Sequence, residues 1–209
     1  MIRHMKRLML PVILGMVVIV SGVSLASDPS PNEIVETAAQ SVLDAIDGKR
    51  EHLKEHPEEL YSLIEEVLVP RFDRAYSARL VLGKHWRSAS TEQKKRFVEA
   101  FHQSLLAQYA EGMLDFTAEK LKVLPFRGDP EKSKVKVRTL VSLEDGKEVP
   151  VDYSLRRTDD GWKVWDVIVE GISYVKNYRT DFNTEIQAKG LDAVITRLES
   201  KVEPNSGAS

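Results

Sequence analysis

Residues 134–157, KVKVRTLVSLEDGKEVPVDYSLRR, contain two runs in which apolar and polar side chains alternate on either side of an Asp-Gly pair. Alternation with a period of two predicts two half-buried β-strands joined as a hairpin. Opposed residues of a hairpin share a face, so the apolar odd-numbered positions of both runs must pair with each other. A three-residue loop over 145–147, with Gly146 at positive φ, meets this condition. A two-residue Asp-Gly loop would pair Leu143 with Glu148 and bury the polar side, so we predict the longer loop.

Further elements extend outward from this hairpin. Trp162–Val169 reads as a third strand that is apolar on both faces, which predicts that both of its faces are covered. Lys120–Phe126 is a weaker strand, expected at an edge of the sheet. Amphipathic helical patterns precede and follow the strands, and no Pro/Gly/Ser-rich linker interrupts residues 31–202. This order predicts a single α+β domain with an antiparallel sheet of about four strands.

Several helix boundaries are marked by local signals. Ser30 with Glu33, and Ser90 with Gln93, have the spacing of a capping box, in which two side chains satisfy the free N–H groups of a helix start. Gly83 stands where a helix end is expected. The helix after Ser90 presents an unusually aromatic face, formed by Phe97, Phe101, Leu105 and Tyr109. The helical periodicity does not distinguish two interpretations of this face. It could pack in a solid core, or it could line an apolar cavity.

The N-terminus predicts export. Within residues 1–26, Lys and Arg occur only before position 8; the uncharged and mostly apolar run Leu8–Val20 follows, and Ser24-Leu25-Ala26 has the small residues of a cleavage site. We therefore predict a cleavable signal at 1–26, a single domain at 27–203 and a disordered tail at 204–209. An uncleaved membrane anchor is the competing reading, which the Gly, Ser and Pro residues of the segment weaken.

Composition excludes several classes of function. The chain has no cysteine, so disulfides, thiol catalysis and Cys-based metal sites are ruled out. Removing the three basic residues of the signal from the 30 in the chain leaves 27, against 32 acidic residues. An acidic balance argues against a general nucleic-acid binder.

Catalytic patterns are weak. His52-Leu53-Lys54-Glu55-His56 fits the H-x-x-E-H pattern of a zinc peptidase, but His56 precedes Pro57, which disfavours helical geometry there. A periplasmic hydrolase or metalloenzyme using His52, Glu55 and His56 stays as an alternative, although we expect no enzyme. Asp166 lies among apolar residues and should have partners, for which Arg179 and Asn177 are the candidates.

Three stretches together resemble the MlaC family, also called the toluene-tolerance family. They are PxFD at 70–73 with ARxxLGxxWRxASxxQxxxF at 78–97, WKVWDVxxEGISxVxNYRxxF at 162–182, and GLDxVIxxL at 190–198. Trp165 departs mildly from the tyrosine expected there. The resemblance implies a helical layer packed over a curled antiparallel sheet, enclosing an apolar cavity for the acyl tails of a phospholipid. It also implies a periplasmic lipid carrier that needs no cofactor and has phospholipid as its cargo.

The expected partners are an MlaD-like ring of an inner-membrane ABC transporter and an MlaA-like outer-membrane lipoprotein–porin complex. Another membrane lipid such as a hopanoid is an alternative cargo, and a protein-interaction module with a solid core is an alternative function. The expected lipid-binding residues are Phe97, Phe101, Leu105, Tyr109, Val137, Val141, Val151, Tyr153, Trp165, Val167, Ile172 and Val175. Placing Trp165 on the cavity side, rather than Trp162 and Val164, is a choice that the sequence does not decide.

Overall fold

The computed structural model describes residues 29–115, 117, 120–129, 131–143 and 145–202. The predicted signal at 1–26 and the tail at 204–209 lie outside these ranges. Within the described residues, the helices are α1 (Pro31–Ile46), α2 (Arg50–Glu55), α3 (Pro57–Leu68), α4 (Arg74–Leu82), α5 (His85–Ser88), α6 (Thr91–Tyr109), α7 (Tyr174–Lys189) and α8 (Leu191–Val202). None of the helices in this part of the chain has the length and apolar character needed to cross a membrane.

The strands form one antiparallel sheet in the order β1-β2-β3-β4-β5, which follows the chain. They are β1 (Leu121–Val123), β2 (Lys134–Ser142), β3 (Glu148–Thr158), β4 (Gly161–Val169) and β5 (Ile172–Ser173). The α+β class and the edge position of β1 are therefore confirmed. The two-residue strand β5 was not predicted, because a segment this short carries no alternation.

Both predicted capping boxes are present. The Ser30 hydroxyl accepts from the Glu33 N–H while the Glu33 carboxylate accepts from the Ser30 N–H, and Ser90 and Gln93 repeat the arrangement at α6. Gly83 follows α4 with φ of 53°, and a Cβ at this position would stand 2.8 Å from Nε of Arg179. A glycine is therefore required there by conformation and by space.

The hairpin pairs odd-numbered with odd-numbered residues, as predicted, but its loop is shifted by one residue. Val137 pairs with Tyr153 and Ser142 with Glu148, and the Leu143 N–H donates to the Lys147 carbonyl over 2.8 Å. The strands therefore stay paired up to Leu143 and Lys147, so the loop begins and ends one residue earlier than the predicted 145–147. Gly146, at φ of 79°, takes the last loop position, where three-residue loops favour a left-handed residue.

The hydrophobic interior consists of three clusters. The first joins α4, α6, α7 and α8, with Phe97 and Ile195 fully buried. The second joins α1, α2, α3, the end of α6 and the chain that follows it, around Ile46 and Leu60. The third packs α1 on the sheet around Leu155. Helix α6 belongs to the first two clusters, so it runs through the centre of the helical layer.

Candidate functional site

An apolar cavity of about 370 Å³ lies between the helical layer and the sheet. This volume falls in the range of small-molecule binding sites. Most of its wall is aliphatic or aromatic, with a few polar side chains among them. The lining residues are Val35, Ala38, Ala39, Val42, Leu68, Arg71, Phe72, Arg74, Ser77, Val98, Phe101, His102, Leu105, Leu106, Tyr109, Met113, Leu121, Tyr153, Val164, Trp165, Asp166, Val167, Tyr174, Val175 and Tyr178.

Helix α6 supplies one wall through helical periodicity. Val98, Phe101, Leu105 and Tyr109 recur at spacings of three and four, so they share a face. Phe97 lies one position before this face and is fully buried in the first core cluster, where its ring is stacked on Phe101 at 5.6 Å. Phe101 belongs to the same cluster and also borders the cavity, so the core meets the cavity at this residue.

A bulge in β4 shapes the sheet side. Leu155 pairs with Val164 and Ser154 pairs with Asp166, which leaves Trp165 without a partner on β3. The extra residue changes the alternation, so Val164, Trp165 and Val167 all border the cavity. The sequence analysis placed Trp165 at the cavity in preference to Trp162 and Val164. In the structure both Trp165 and Val164 line the cavity, whereas Trp162 is buried in the third cluster.

Asp166 connects the sheet to the start of α7. Its carboxylate accepts from the Ser173 hydroxyl at 2.6 Å and from the Val175 N–H at 3.0 Å. The partners expected from the sequence, Arg179 and Asn177, are not the ones used. The carboxylate instead lies at the N-terminus of α7, where the helix dipole favours a negative charge.

Asp73 has a similar role at α4. One carboxylate oxygen accepts from the Tyr76 N–H at 3.0 Å, and the other is 2.7 Å from a guanidinium nitrogen of Arg156 on β3. The Asp73 N–H donates to the Val164 carbonyl over 2.8 Å. The start of α4 is thereby held against the sheet beside the cavity.

Burial shifts the pKa values of several polar groups in the wall. Burial lowers the pKa of His102 to about 4, and the charge of Arg74 acts in the same direction, partly offset by Glu65 and Glu99. Burial raises the pKa of the Tyr153 hydroxyl. Burial likewise raises the pKa of Tyr109, whose hydroxyl oxygen is 3.4 Å from that of Tyr178. Arg74 is the charged neighbour of His102, and it is paired with Glu99 at 3.2 Å.

The structure divides the residues that the sequence singled out for lipid binding. Those that border the cavity are Phe101, Leu105, Tyr109, Tyr153, Trp165, Val167 and Val175. Phe97 and Val137 are fully buried in core clusters, Val141 and Val151 lie on β2 and β3 without bordering the cavity, and Ile172 is 63 % exposed. Whether any of them contacts lipid stays a prediction.

One wall was missed in the sequence. Helix α1 contributes Val35, Ala38, Ala39 and Val42. These residues belong to the apolar stripe by which the helix itself is predicted. The available signal was the pair Ala38-Ala39, because small side chains at the centre of such a stripe leave room between a helix and its neighbours.

The H-x-x-E-H segment lies on the surface, away from the cavity. Its first four residues belong to the short helix α2, and His56 leaves helical geometry before Pro57, with ψ of 71°. The His52 ring is 2.9 Å from the Glu59 carboxylate. Among the described residues, the side chains whose potential metal-ligand atoms lie close together are those of His56, Glu58 and Glu59. Glu55 is not one of them. His52, Glu55 and His56 therefore do not form the metal site of a zinc peptidase.

Comparison with known proteins places these features in a family. The chain is 30 % identical to toluene tolerance protein ttg2D of Pseudomonas putida over 164 residues, which are 78 % of this chain and 76 % of that protein. It is 20 % identical over 176 residues to the intermembrane phospholipid transport system binding protein MlaC of Haemophilus influenzae, covering 83 % of this chain and 82 % of the relative.

A solved structure has the same fold. It is the phospholipid-binding protein from Ralstonia solanacearum in complex with a phospholipid, with a TM-score of 0.77 and 24 % identity. The match covers 83 % of this chain and 97 % of that one. The family model described as MlaC protein matches residues 36–200. The match includes every residue that lines the cavity except Val35, and the chain belongs to the MlaC family.

Proposed function

We propose that this protein is a periplasmic phospholipid carrier that holds the acyl tails of its cargo in the cavity between α1, α6 and the sheet. The observation that carries the proposal is the apolar wall of that cavity, in a family whose relatives are named for phospholipid binding and transport. The predicted signal at 1–26 supports a periplasmic location.

A carrier of this kind needs no reaction. Each methylene group moved from hydrocarbon into water costs about 0.8 kcal/mol, so two tails of roughly sixteen carbons cost on the order of 25 kcal/mol when exposed. An apolar cavity offsets this cost by replacing water around the tails. The lipid can then cross an aqueous compartment at a useful rate.

The proposed route joins two membranes. The carrier exchanges lipid with an MlaA-like lipoprotein–porin complex in the outer membrane and with an MlaD-like ring of an ABC transporter in the inner membrane. The family resemblance supports these partners. A pull-down of each partner with the mature chain, in the presence of lipid-loaded and lipid-free carrier, tests both contacts.

Native mass spectrometry of the mature protein, purified without detergent, tests the carrier function. The expected result is a complex heavier than the chain by the mass of a phospholipid. A mass matching a hopanoid would change the cargo, bound zinc would favour a metalloenzyme, and a bare chain that also fails to take lipid from vesicles would refute the carrier.

A matched pair of variants locates the lipid. Leu105→Asp places a carboxylate in the cavity wall, where it would be buried against the tails, so we expect lipid retention to be lost. Leu143→Asp makes the same change at a side chain that is 44 % exposed beside the hairpin loop, and should keep its lipid. Equal loading of both variants would place the tails elsewhere.

A further inference from the structure

Four cationic side chains gather where the start of α4 meets the sheet. The guanidinium carbons of Arg79 and Arg156 lie 5.0 and 4.6 Å from the centre of the Tyr76 ring. Lys134 is equally near, with Nζ 5.1 Å from the same centre, so the three charges lie close to one another. Arg156 also stands opposite Lys163 on β4. The basic cluster consists of Arg79, Lys134, Arg156 and Lys163.

Three members of the basic cluster form a row across the sheet. Lys134 on β2 is paired with Arg156 on β3, and Arg156 is paired with Lys163 on β4. Directly opposed residues share a face of the sheet, and like charges in such pairs are destabilising. The fold therefore retains an arrangement that costs stability, and local conflicts of this kind are expected at functional sites.

One carboxylate compensates the basic cluster. Asp73 lies 2.7 Å from Arg156, and in the part of the chain that the structure describes the other three members form no ion pair. Other cations of the surface are matched by an acid, as Arg96 is by Glu199 at 2.7 Å. The whole chain has 30 basic and 32 acidic residues, so a net positive patch contrasts with its surroundings.

Most of these cations are held in place. Nζ of Lys134 donates to the Tyr76 hydroxyl at 2.6 Å, and Nζ of Lys163 donates to the Pro70 carbonyl. Arg156 is fixed by Asp73, as described above. Fixed cations lose little freedom when they bind an anion, and a guanidinium matches the geometry of a carboxylate. The cluster therefore suits acidic groups that are themselves fixed in position, as on the surface of a folded protein.

The surroundings of the basic cluster favour a protein over a membrane. Binding to a bilayer surface is strengthened by apolar side chains that enter it and by a broad basic excess. The exposed large apolar side chains of the described residues are Leu143 and Ile172. Both lie towards the other end of the sheet, since Leu143 follows the last residue of β2, which Lys134 begins, and Ile172 pairs with the last residue of β4.

We propose that the basic cluster is a docking surface for the acidic face of a protein partner. Its members are not among the residues that line the lipid cavity, but the Tyr76 ring meets that of Trp165, which does line it, at a centroid distance of 5.6 Å. A partner bound at the cluster lies beside the cavity wall. Because the two sites share no side chain, the docking surface can be disabled while lipid loading is kept.

An acidic peptide tests the charge preference without an assumed partner. ¹⁵N-labelled mature protein is titrated with a peptide of alternating glutamate and glycine, and separately with vesicles of phosphatidylethanolamine and phosphatidylglycerol. The backbone amide resonances of Tyr76, Arg79 and Lys134 should shift with the peptide, return at high salt and stay unchanged with the vesicles. Unchanged resonances with the peptide overturn the proposal, and a response to the vesicles alone replaces it with membrane binding.

Paired variants connect the cluster to binding of protein partners. Arg79→Glu with Lys134→Glu reverses two exposed cations, and Lys122→Glu with Lys189→Glu makes the same change in charge at exposed lysines on β1 and at the end of α7. Affinity is measured for the purified MlaD-like ring and the MlaA-like complex. The first pair should weaken binding of at least one of them by about tenfold or more, whereas the second should change it by less than about twofold. Equal effects of the two pairs overturn the proposal. If the wild type binds neither partner, the proposed route fails, and the peptide titration still decides the role of the cluster.

Stability and lipid loading separate a disabled surface from a damaged fold. Lys134→Glu places a carboxylate opposite Arg156, so it should raise Tm by about 1 to 4 °C and leave lipid loading unchanged. A lowered Tm would contradict the unfavourable row of charges. Arg79→Glu alone, at an exposed helix position, gives a second test that does not alter the sheet. It should weaken partner binding about threefold to fivefold, and unchanged affinity would exclude Arg79 from the docking surface and overturn the proposal.

Discussion

Replacing Asp166 by alanine should destabilise the protein by about 3 kcal/mol. The carboxylate is 5 % exposed and accepts from the Ser173 hydroxyl and the Val175 N–H, at 2.6 and 3.0 Å. A hydrogen bond to a charged group contributes about 1.5 to 3 kcal/mol, and the helix-dipole interaction adds about 0.3 to 1 kcal/mol. Removing the buried carboxylate also removes the desolvation cost of burying it. This gain offsets part of the lost interaction energy, so the expected net loss is about 3 kcal/mol.

Urea denaturation followed by circular dichroism measures this loss, which corresponds to a fall of roughly 6 to 12 °C in Tm for a domain of this size. Ser173→Ala and the double variant complete a cycle, in which we expect a coupling of about 1 to 2 kcal/mol between the two side chains. Asp192→Ala is the control, because Asp192 is an exposed residue bonded to Gln93, and its loss should stay within about 0.5 kcal/mol. A loss below about 1 kcal/mol for Asp166→Ala, or strict additivity with Ser173→Ala, would refute the assigned role of the carboxylate.

Two further changes separate charge from packing. Lowering the pH from about 6.5 to about 4 should reduce stability through His102, because the unfolded chain binds a proton on this residue over that interval and the folded chain does not. With allowance for partial solvent screening the contribution is about 1 to 2 kcal/mol, and it should be missing from the pH dependence of His102→Phe; identical curves for the variant and the wild type would contradict it. Phe97→Ala should cost about 3 to 5 kcal/mol in unfolding free energy by opening a void in the first core cluster, and a loss below about 1 kcal/mol would show that Phe97 is not a core residue.

The sequence predicted those parts of the fold that depend on neighbouring residues. The capping boxes at Ser30 and Ser90 involve atoms three residues apart, so the residue types alone indicate them. The parity of the β2–β3 hairpin follows from the alternation of its two runs. The predicted loop was off by one residue. The alternation determines which face each residue of a strand lies on, whereas the conformation of Gly146 determines where the loop ends.

The cavity wall was less accessible to sequence reasoning. Phe97 and Phe101 belong to one helical stripe and to one core cluster, and the helical period does not indicate that Phe101 also borders the cavity whereas Phe97 does not. The wall from α1 was hidden for the same reason. The β4 bulge at Trp165 and the partners of Asp166 depend on how β4 meets β3 and α7, which no periodicity within one strand encodes.

The division of the interior into three clusters bears on how the protein is packed when its cavity holds no ligand. Each cluster completes its own packing, around Ile195, Leu60 and Leu155 respectively, so the fold does not require the central space to be occupied. Helix α6 is shared by the first two clusters and α1 by the second and third, so each of these two walls of the space is held in place by packing outside it.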